Sequence, residues 1–394
     1  VHTITLNKIA TQHVKTFFGW VYQNEILPLK TPIPDGALVA LYAIDGTFLA
    51  QGYYNSRSQM CVRVLSYDLR PIDSDFFRTR IATALAKRKA LAKATNAYRL
   101  IHSEADFLPG LMVDVYDKVL AIQINTLGME SYRTLIIEAL VALLAPQGII
   151  DKSDAKVRAK EGLQTQNGVV YGEVTQDITI HEHGISFAVN LHEGQKTGFY
   201  LDQRYNRHTV GGYIEAHMEV LDIFCNAGGF GLYCLAQGAK VDFVDLSAHA
   251  LEQVALNITR NGFDTNRATI TKADAFTYLT QAKTASMRYD CVVLDPPPFA
   301  KSKRASFGAI KGYKFLFSAG LELAKDNGIV ALFSCSHHVG LDTLLSIAKE
   351  ASATANVPLE ILQTLHADAD HPHILNIPNT AYLSGIVVRK IALD

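Results

Sequence analysis

The stretch LFSCSHHVG (332–340) ends an apolar run with one cysteine and two histidines. A thiol in that setting has three chemistries open to it: nucleophile, metal ligand, or small buried hydrophobe, the last being the commonest fate of a cysteine at a strand end. The chain turns polar at once around Cys335, with Ser334, Ser336, His337 and His338. A helical stretch follows (VGLDTLLSIAKEA, apolar at 341, 344, 345 and 348), and a helix N-terminus favours a thiolate. Metal ligation would need His337 and His338 to combine with the late HADADHPH, which holds His366, Asp368, Asp370, His371 and His373. No pair there has the C-x-x-C or H-E-x-x-H spacing of a zinc site, so no metal is expected.

A second stretch, LDPPPF (294–299), sets Asp295 and Phe299 just after an apolar run. Prolines cannot continue sheet pairing, so they make a stiff turn that presents both side chains at the strand's end. The bland alternative is a proline-rich loop. Amino-group methyltransferases often carry N/D-P-P-Y/F, with the aromatic directly after two prolines. Here Phe299 comes one residue later, after Pro298, which weighs against amino methylation. KSKRASFGAIKGYK follows, with Lys301, Lys303, Arg304, Lys311 and Lys314, no acid, and interleaved aromatics. Basic residues and aromatics beside a catalytic edge suit an RNA strand.

The third stretch is LDIFCNAGGFG (221–231), a strand running through a glycine turn into a helix. Ala227, Gly228 and Gly229 are small enough to let a ligand reach the backbone, and the helix start supplies N–H groups. Asp222 stands near the end of this strand. Asp245 ends the next, seventeen residues after Gly228, where an acid suits ribose hydroxyls. Asp274, in KADAF, follows a third strand, where it would face an adenine amino group. A dinucleotide fold wants G-x-G-x-x-G, which is missing. An acid before the glycines would repel a pyrophosphate but attracts the ammonium of a methionine moiety. The pattern therefore favours S-adenosylmethionine (SAM) over NAD. The expected cofactor contacts are Asp222, Phe224, Asn226, Ala227, Gly228, Gly229, Phe230, Asp245, Leu246, Ser247, Asp274, Ala275 and Asp295.

Three regions must position these residues. Residues 1–70 contain short β-type runs (ALVALYA, MCVRVLS) separated by turns such as TPIPDG, the pattern of a small barrel. Residues 71–188 are α+β, with helical spacing in RTRIATALAKRKALA and SYRTLIIEALVALLA and a strand–turn–strand around Tyr116-Asp117. Residues 189–394 alternate strands and helices, which implies a parallel sheet covered on both faces, with ligands at the strands' carboxyl ends. The 394 residues are 48% hydrophobic and carry a net charge of −1, so bulk charge does not advertise nucleic-acid binding. Local charge does: Arg78, Arg80, Lys87, Arg88, Lys89, Lys93 and Arg99 occur with no acid between them. Five scattered cysteines fit reduced thiols rather than a disulfide framework. No apolar run approaches the ~18–20 residues of a membrane span, and Val1–Ala10 lacks a signal core, so a cytoplasmic protein is expected.

LPGLMVDVY (108–116), GQKTGFYLDQRYNR (194–207), LDIFCNAGGFG, VDLS, LDPPPFAKSK, FSCSHH and DHPH together resemble the bacterial large-subunit ribosomal RNA methyltransferase I family. FGWVYQNEI (18–26) is similar to that family's PUA domain, a small RNA-binding barrel. The resemblance implies a PUA-like β-barrel, a central α+β domain and a Rossmann-like α/β methyltransferase domain. It also implies a SAM-dependent enzyme forming 5-methylcytosine in 23S rRNA, and membership of a family that often dimerises. By the same resemblance, GQKTGFYLDQR borders the cofactor, which makes Lys196 and Arg204 expected contacts; phosphate binding or loop packing is the plainer alternative. Many members have lysine after the two prolines, where this chain has Pro298.

Cytosine C5 is a poor nucleophile until a thiolate adds at C6. On this reading Cys335 is the nucleophile, Asp295 holds the base edge, and Phe299 stacks or forms a wall. The RNA-facing set is Arg78, Arg80, Lys87, Arg88, Lys89, Lys93, Lys301, Lys303 and Arg304. Two alternatives stand beside it: methylation of uridine C5 or a base amino group, and a non-catalytic RNA-binding assembly factor that keeps a SAM fold.

Overall fold

The computed structural model describes residues 1–192, 198–299 and 306–393. The chain forms two compact units. One comprises Val1–Ile180, Val189–Leu201 and Ala369–Thr380, the other His181–Ala188, Asp202–Asp368 and Ala381–Asp394. Among the described residues no helix is long and apolar enough to cross a membrane.

The first unit holds two five-stranded sheets. Strands His2–Thr5, Leu38–Tyr42, Phe48–Tyr54, Val62–Ser66 and Trp20–Val21 lie side by side in that order. Their inward residues Ile4, Val39, Leu41, Ala50, Val62 and Val64 make one core. The second sheet runs Gly168–Gly172, Gly148–Asp151, Val119–Ile124, Leu111–Tyr116, Ala97–His102. Helices Ser74–Arg88 and Arg133–Leu144 supply residues to its core, Ile81 and Ile136 among them. The expected turn at Tyr116-Asp117 is there, with Asp117 at φ 56°. Buried polar contacts tie the first sheet to the end of helix Ala155–Lys160: Arg63 pairs with Glu161 at 3.0 Å, and Asn55 donates to the same carboxylate at 2.8 Å.

The second unit is built on strands β1 (Glu219–Ile223), β2 (Lys240–Asp245), β3 (Ala268–Lys272), β4 (Tyr289–Leu294), β5 (Ala324–Ser334), β6 (Leu359–His366) and β7 (Ser384–Lys390). Their spatial order is β3-β2-β1-β4-β5-β7-β6. The first five are parallel, and β7 is antiparallel to both β5 and β6. β1, β4 and β5 are central, and their segments 220–223, 291–294 and 328–334 are buried without a break because both of their faces are covered. Helices α1 (Arg204–Gly211), α2 (Gly229–Ala236), α3 (Ala248–Arg260), α4 (Ala275–Thr284), α5 (Ser306–Leu323) and α6 (Leu341–Ala355) complete the unit. Strand alternation divides the core. Leu221, Ile223, Val244, Leu294 and Leu332 join the cluster formed with α4, α5 and α6. Phe243 points the other way, against α2. The strand order reverses between β1 and β4, the place where open α/β sheets bind ligands.

Candidate functional site

The turn after β1 is wound tightly. Phe224, Asn226 and Gly228 have φ of 62°, 49° and 84°, three left-handed residues within five. For a bulky phenylalanine this conformation is strained, and such strain persists only where the surroundings impose it. Hydrogen bonds impose it here. Asn226 N–H donates to Asp245 Oδ2 at 3.0 Å, and Ala227 N–H donates to Asn226 Oδ1 at 2.7 Å. Gly231 must be glycine for a different reason: a Cβ there would lie 2.1 Å from the Phe243 ring. Phe230 faces inward and packs its ring against Phe333 at 4.9 Å. Gly229 sits against Arg207, with 2.9 Å from an added Cβ to the arginine side chain.

Two carboxylates, Asp222 and Asp245, bond to the backbone of this turn, and the charge of a third, Asp295, reaches the first of them. Asp222 is 1% exposed and accepts from Gly231 N–H at 2.8 Å through Oδ2. Its Oδ1 has no hydrogen-bond partner among the described residues. Burial pushes the Asp222 carboxyl up to about 8; the Gly231 bond opposes the shift, and the charges of Asp295 and Asp245 add to it. Asp245 ends β2 and accepts from Ser247 N–H at 2.8 Å through its other oxygen. Leu246, beside it, is 66% exposed, an apolar surface next to an acid. Ser247 caps α3 through Ala250 N–H. Asp274 caps α4, accepting from Thr277 N–H at 3.0 Å, and stays exposed at the end of β3 beside buried Ala275.

β4 and β5 run parallel with Leu294 opposite Leu332, so Asp295 and Cys335 leave the sheet on one edge. Cys335 is partly exposed, whereas Cys61, Cys225, Cys234 and Cys291 are buried. Between the two strands' ends stands Tyr313 of α5, fully buried. Burial pushes its hydroxyl up to about 12, and the charges of Cys335 and Asp295 contribute in the same direction. Phe299 lays its ring edge-on to Tyr313 at 5.1 Å and so walls the same corner. His337 and His338 are exposed; His337 Nδ1 lies 3.2 Å from the Ala381 carbonyl.

Sequence reasoning missed one residue that the structure brings to this edge. Gln203 is 1% exposed and donates from Nε2 to Asp295 Oδ1 at 3.0 Å. The available signal was its place in LDQR, one position from the arginine that sequence reasoning chose instead.

Two expectations are corrected. Arg204, expected against the cofactor, instead spends its charge inside the fold on Asp368 at 2.7 Å. Arg88 does not face RNA: it is 2% exposed and forks onto Asp106 with bonds of 2.7 and 2.6 Å. In both cases a basic residue that reads as surface charge finds a carboxylate on another segment and is buried with it. The same pairing absorbs HADADHPH, where Asp370 accepts from Arg99 N–H at 2.9 Å and lies 2.9 Å from His371 Nδ1. Arg78, Lys87, Lys89 and Lys93 are exposed, and Arg80 is half-buried over the Phe76 and Phe107 rings. Lys196, Lys301, Lys303 and Arg304 lie outside the described residues.

Comparison with known proteins bears on this geometry. Residues 4–67 match the family model of a PUA-like domain, and residues 154–380 that of an S-adenosylmethionine-dependent methyltransferase. The chain is 38% identical over 375 residues to ribosomal RNA large subunit methyltransferase I of Aeromonas salmonicida, covering 94% of each. It is also 38% identical, over 379 residues, to the protein of that name in Shewanella amazonensis, again covering 94% of each. Among solved structures it resembles a protein assigned as a methyltransferase and complexed with SAH, at a TM-score of 0.86 and 22% identity over 99% of this chain and 100% of that one. A protein from Streptococcus mutans assigned as a SAM-dependent methyltransferase gives a TM-score of 0.83 at 21% identity, with the same coverage. At these identities the structural likeness concerns the fold.

Proposed function

The chain belongs to the ribosomal RNA large subunit methyltransferase I family of SAM-dependent enzymes, and from that premise we propose that it makes 5-methylcytosine in 23S rRNA with Cys335 as nucleophile. The observation that carries the reading is the common edge of Cys335 and Asp295, beside a turn bonded by the carboxylates Asp222 and Asp245. The turn suits SAM. A sealed carboxylate with one unpartnered oxygen, flanked by Asp245 and Asp295, favours a ligand that brings positive charge. Asp222, Asp245 and the backbone of 226–229 would hold it, with Leu246 and Asp274 toward the adenine. When bound, SAM supplies an electrophilic methyl group on its sulfonium.

The protein's own groups do the rest. The Cys335 thiolate adds to C6, forming an S–C6 bond and moving the electron pair of the C5=C6 bond onto C5 and the ring carbonyl and imine. C5, now enamine-like, takes the methyl group. A base removes the C5 proton, the C5=C6 bond re-forms and the thiolate leaves. Asp295 holds the N3/N4 edge of the base, and Phe299 walls the ring. The base must be unstacked from its RNA to reach this edge. Residues 1–70, 71–188 and 189–394 act on this reading as RNA-gripping barrel, spacer and catalytic domain. Arg78, Arg80, Lys87, Lys89 and Lys93, with Lys301, Lys303 and Arg304, contact phosphates. Lys196 borders the cofactor. The homodimer expected of the family is checked by sedimentation velocity.

Large-subunit rRNA carrying 5-fluorocytidine should trap the enzyme as a covalent adduct, since fluorine cannot leave C5 as a proton does. Cys335→Ala should form no adduct and no 5-methylcytosine. Adduct formation by that variant would sink the mechanism. Pro298, exposed in the DPPPF turn, favours a second reading in which uridine C5 or an amino group is the target. Mass spectrometry of the methylated nucleosides separates the products.

A further inference from the structure

Gln203 and Asn206 form a short buried relay behind Asp295. Asn206 is fully buried and donates from Nδ2 to Gln203 Oε1 at 2.6 Å. Gln203 in turn donates from Nε2 to Asp295 Oδ1 at 3.0 Å. The order of the relay is chemically determined. An ionised carboxylate only accepts, so the NH2 end of Gln203 must face it and the carbonyl end must face Asn206. Both amides come from the start of α1 and the residue before it, one turn apart, so one helical end sets the whole relay. An N–H aimed at a carboxylate stabilises its charged form and restricts its rotation.

We infer that Gln203 is a positioning residue for Asp295: it holds the carboxylate in one orientation and keeps it an acceptor, so that it receives a hydrogen bond from the exocyclic amino group of the base. The inference rests on the reading of Asp295 as the base-edge ligand. Asn206 acts one step further back by fixing which end of the Gln203 amide turns forward.

The test uses the full-length protein, protein-free large-subunit rRNA and labelled SAM under single turnover. Gln203→Met removes the donor at similar size. It should slow methyl transfer about 100-fold, the scale expected when a reacting group loses its orientation, while SAM affinity by calorimetry stays within about twofold of wild type. Gln203→Glu provides the deciding readout. Two carboxylates in hydrogen-bond contact share one proton, so the introduced carboxyl imitates the amide donor only while it is protonated. The ratio of the Gln203→Glu rate to the wild-type rate should therefore be highest near pH 5 and fall as the pH rises toward 8. Among the described residues, Asp222 and Tyr313 are titratable groups that feel the charge of Asp295. They are the same in both proteins, so their titration cancels in the ratio. A ratio that does not change with pH overturns the assignment, even if Gln203→Met is slow, because a purely structural role would not track that proton. Asp295→Asn is the control on the premise. If it methylates at the wild-type rate, Asp295 is not the base-edge ligand and the underlying reading has failed instead.

Discussion

A carboxylic acid sealed from water keeps its proton until a cation arrives, and Asp222 is such an acid. Its folded value of about 8 lies above its ordinary value of 3.8. Between those two pH values the native state holds a proton that the unfolded chain has released. The stability associated with Asp222 is therefore present on the acid side and is lost as pH rises toward 8, by up to about 1.4 kcal/mol per pH unit. Asp222→Asn keeps an acceptor for Gly231 N–H and removes the titration. Urea unfolding should show its stability advantage over wild type growing from pH 4 to pH 8, while calorimetry shows weaker SAM binding. Equal pH dependence in the two proteins would contradict the assignment. Arg204 makes the complementary case. Arg204→Met removes a buried ion pair with Asp368 and should cost about 3–5 kcal/mol in urea unfolding. A loss confined to SAM affinity, with stability intact, would restore Arg204 to the cofactor surface.

Elements, rather than single side chains, decide where the methyl donor's contacts sit. The turn from β1 into α2 is held at both ends, by Asp245 accepting from Asn226 N–H and by Asp222 accepting from Gly231 N–H. α2 can approach the sheet only because Gly231 presents no Cβ to Phe243. Gly231→Ala should therefore cost about 1–3 kcal/mol by overpacking and also weaken SAM binding, since the turn moves with its helix. Gly262, beyond the end of α3, has φ 67° but open space around it. Gly262→Ala should cost about 1 kcal/mol through backbone strain alone and leave SAM affinity unchanged. Calorimetry on the two variants distinguishes a turn that positions a ligand from one that merely ends a helix. The residues of the first turn were singled out in the sequence because small residues, acids and strand ends recur at fixed offsets within one βα unit. Gln203 was not, because its contact with Asp295 spans 92 positions and no local pattern announces it.

At the scale of the whole molecule, a net charge of −1 must be reconciled with an RNA substrate. Burial resolves part of the difficulty by sorting the basic run. Arg88 is used up internally on Asp106, whereas Lys89 and Lys93 remain exposed. Replacing Lys89 and Lys93 together with alanine should lower the dependence of log affinity on log salt by about 2, with thermal stability unchanged, if each meets one phosphate. Filter binding to large-subunit rRNA across a salt series measures it. Arg88→Met should instead destabilise the fold, because it takes the two-bond partner from the buried Asp106 carboxylate and leaves it only His102 N–H and the more distant Lys87. The same sorting explains the segment 369–380, which returns to the first unit after a long excursion. Asp370 accepts from Arg99 N–H, and its carbonyl accepts from Arg88, across 271 and 282 positions.

What the amino-acid order determined by itself is local. Apolar periodicity and turn residues set the strands and helices, glycines and acids at strand ends marked a SAM-type turn, and the succession of βα units implied a covered parallel sheet. These follow from interactions within one turn or one βα unit, whose range is a few tens of residues at most. The tertiary structure alone decided which basic residues keep their charge for a partner and which bury it on Asp106 or Asp368. It also decided that the order reverses between β1 and β4, and that Gln203 rather than Arg204 reaches Asp295. Those outcomes depend on desolvation and on pairing between distant segments, and a charged side chain carries no local mark of whether a counter-charge will meet it.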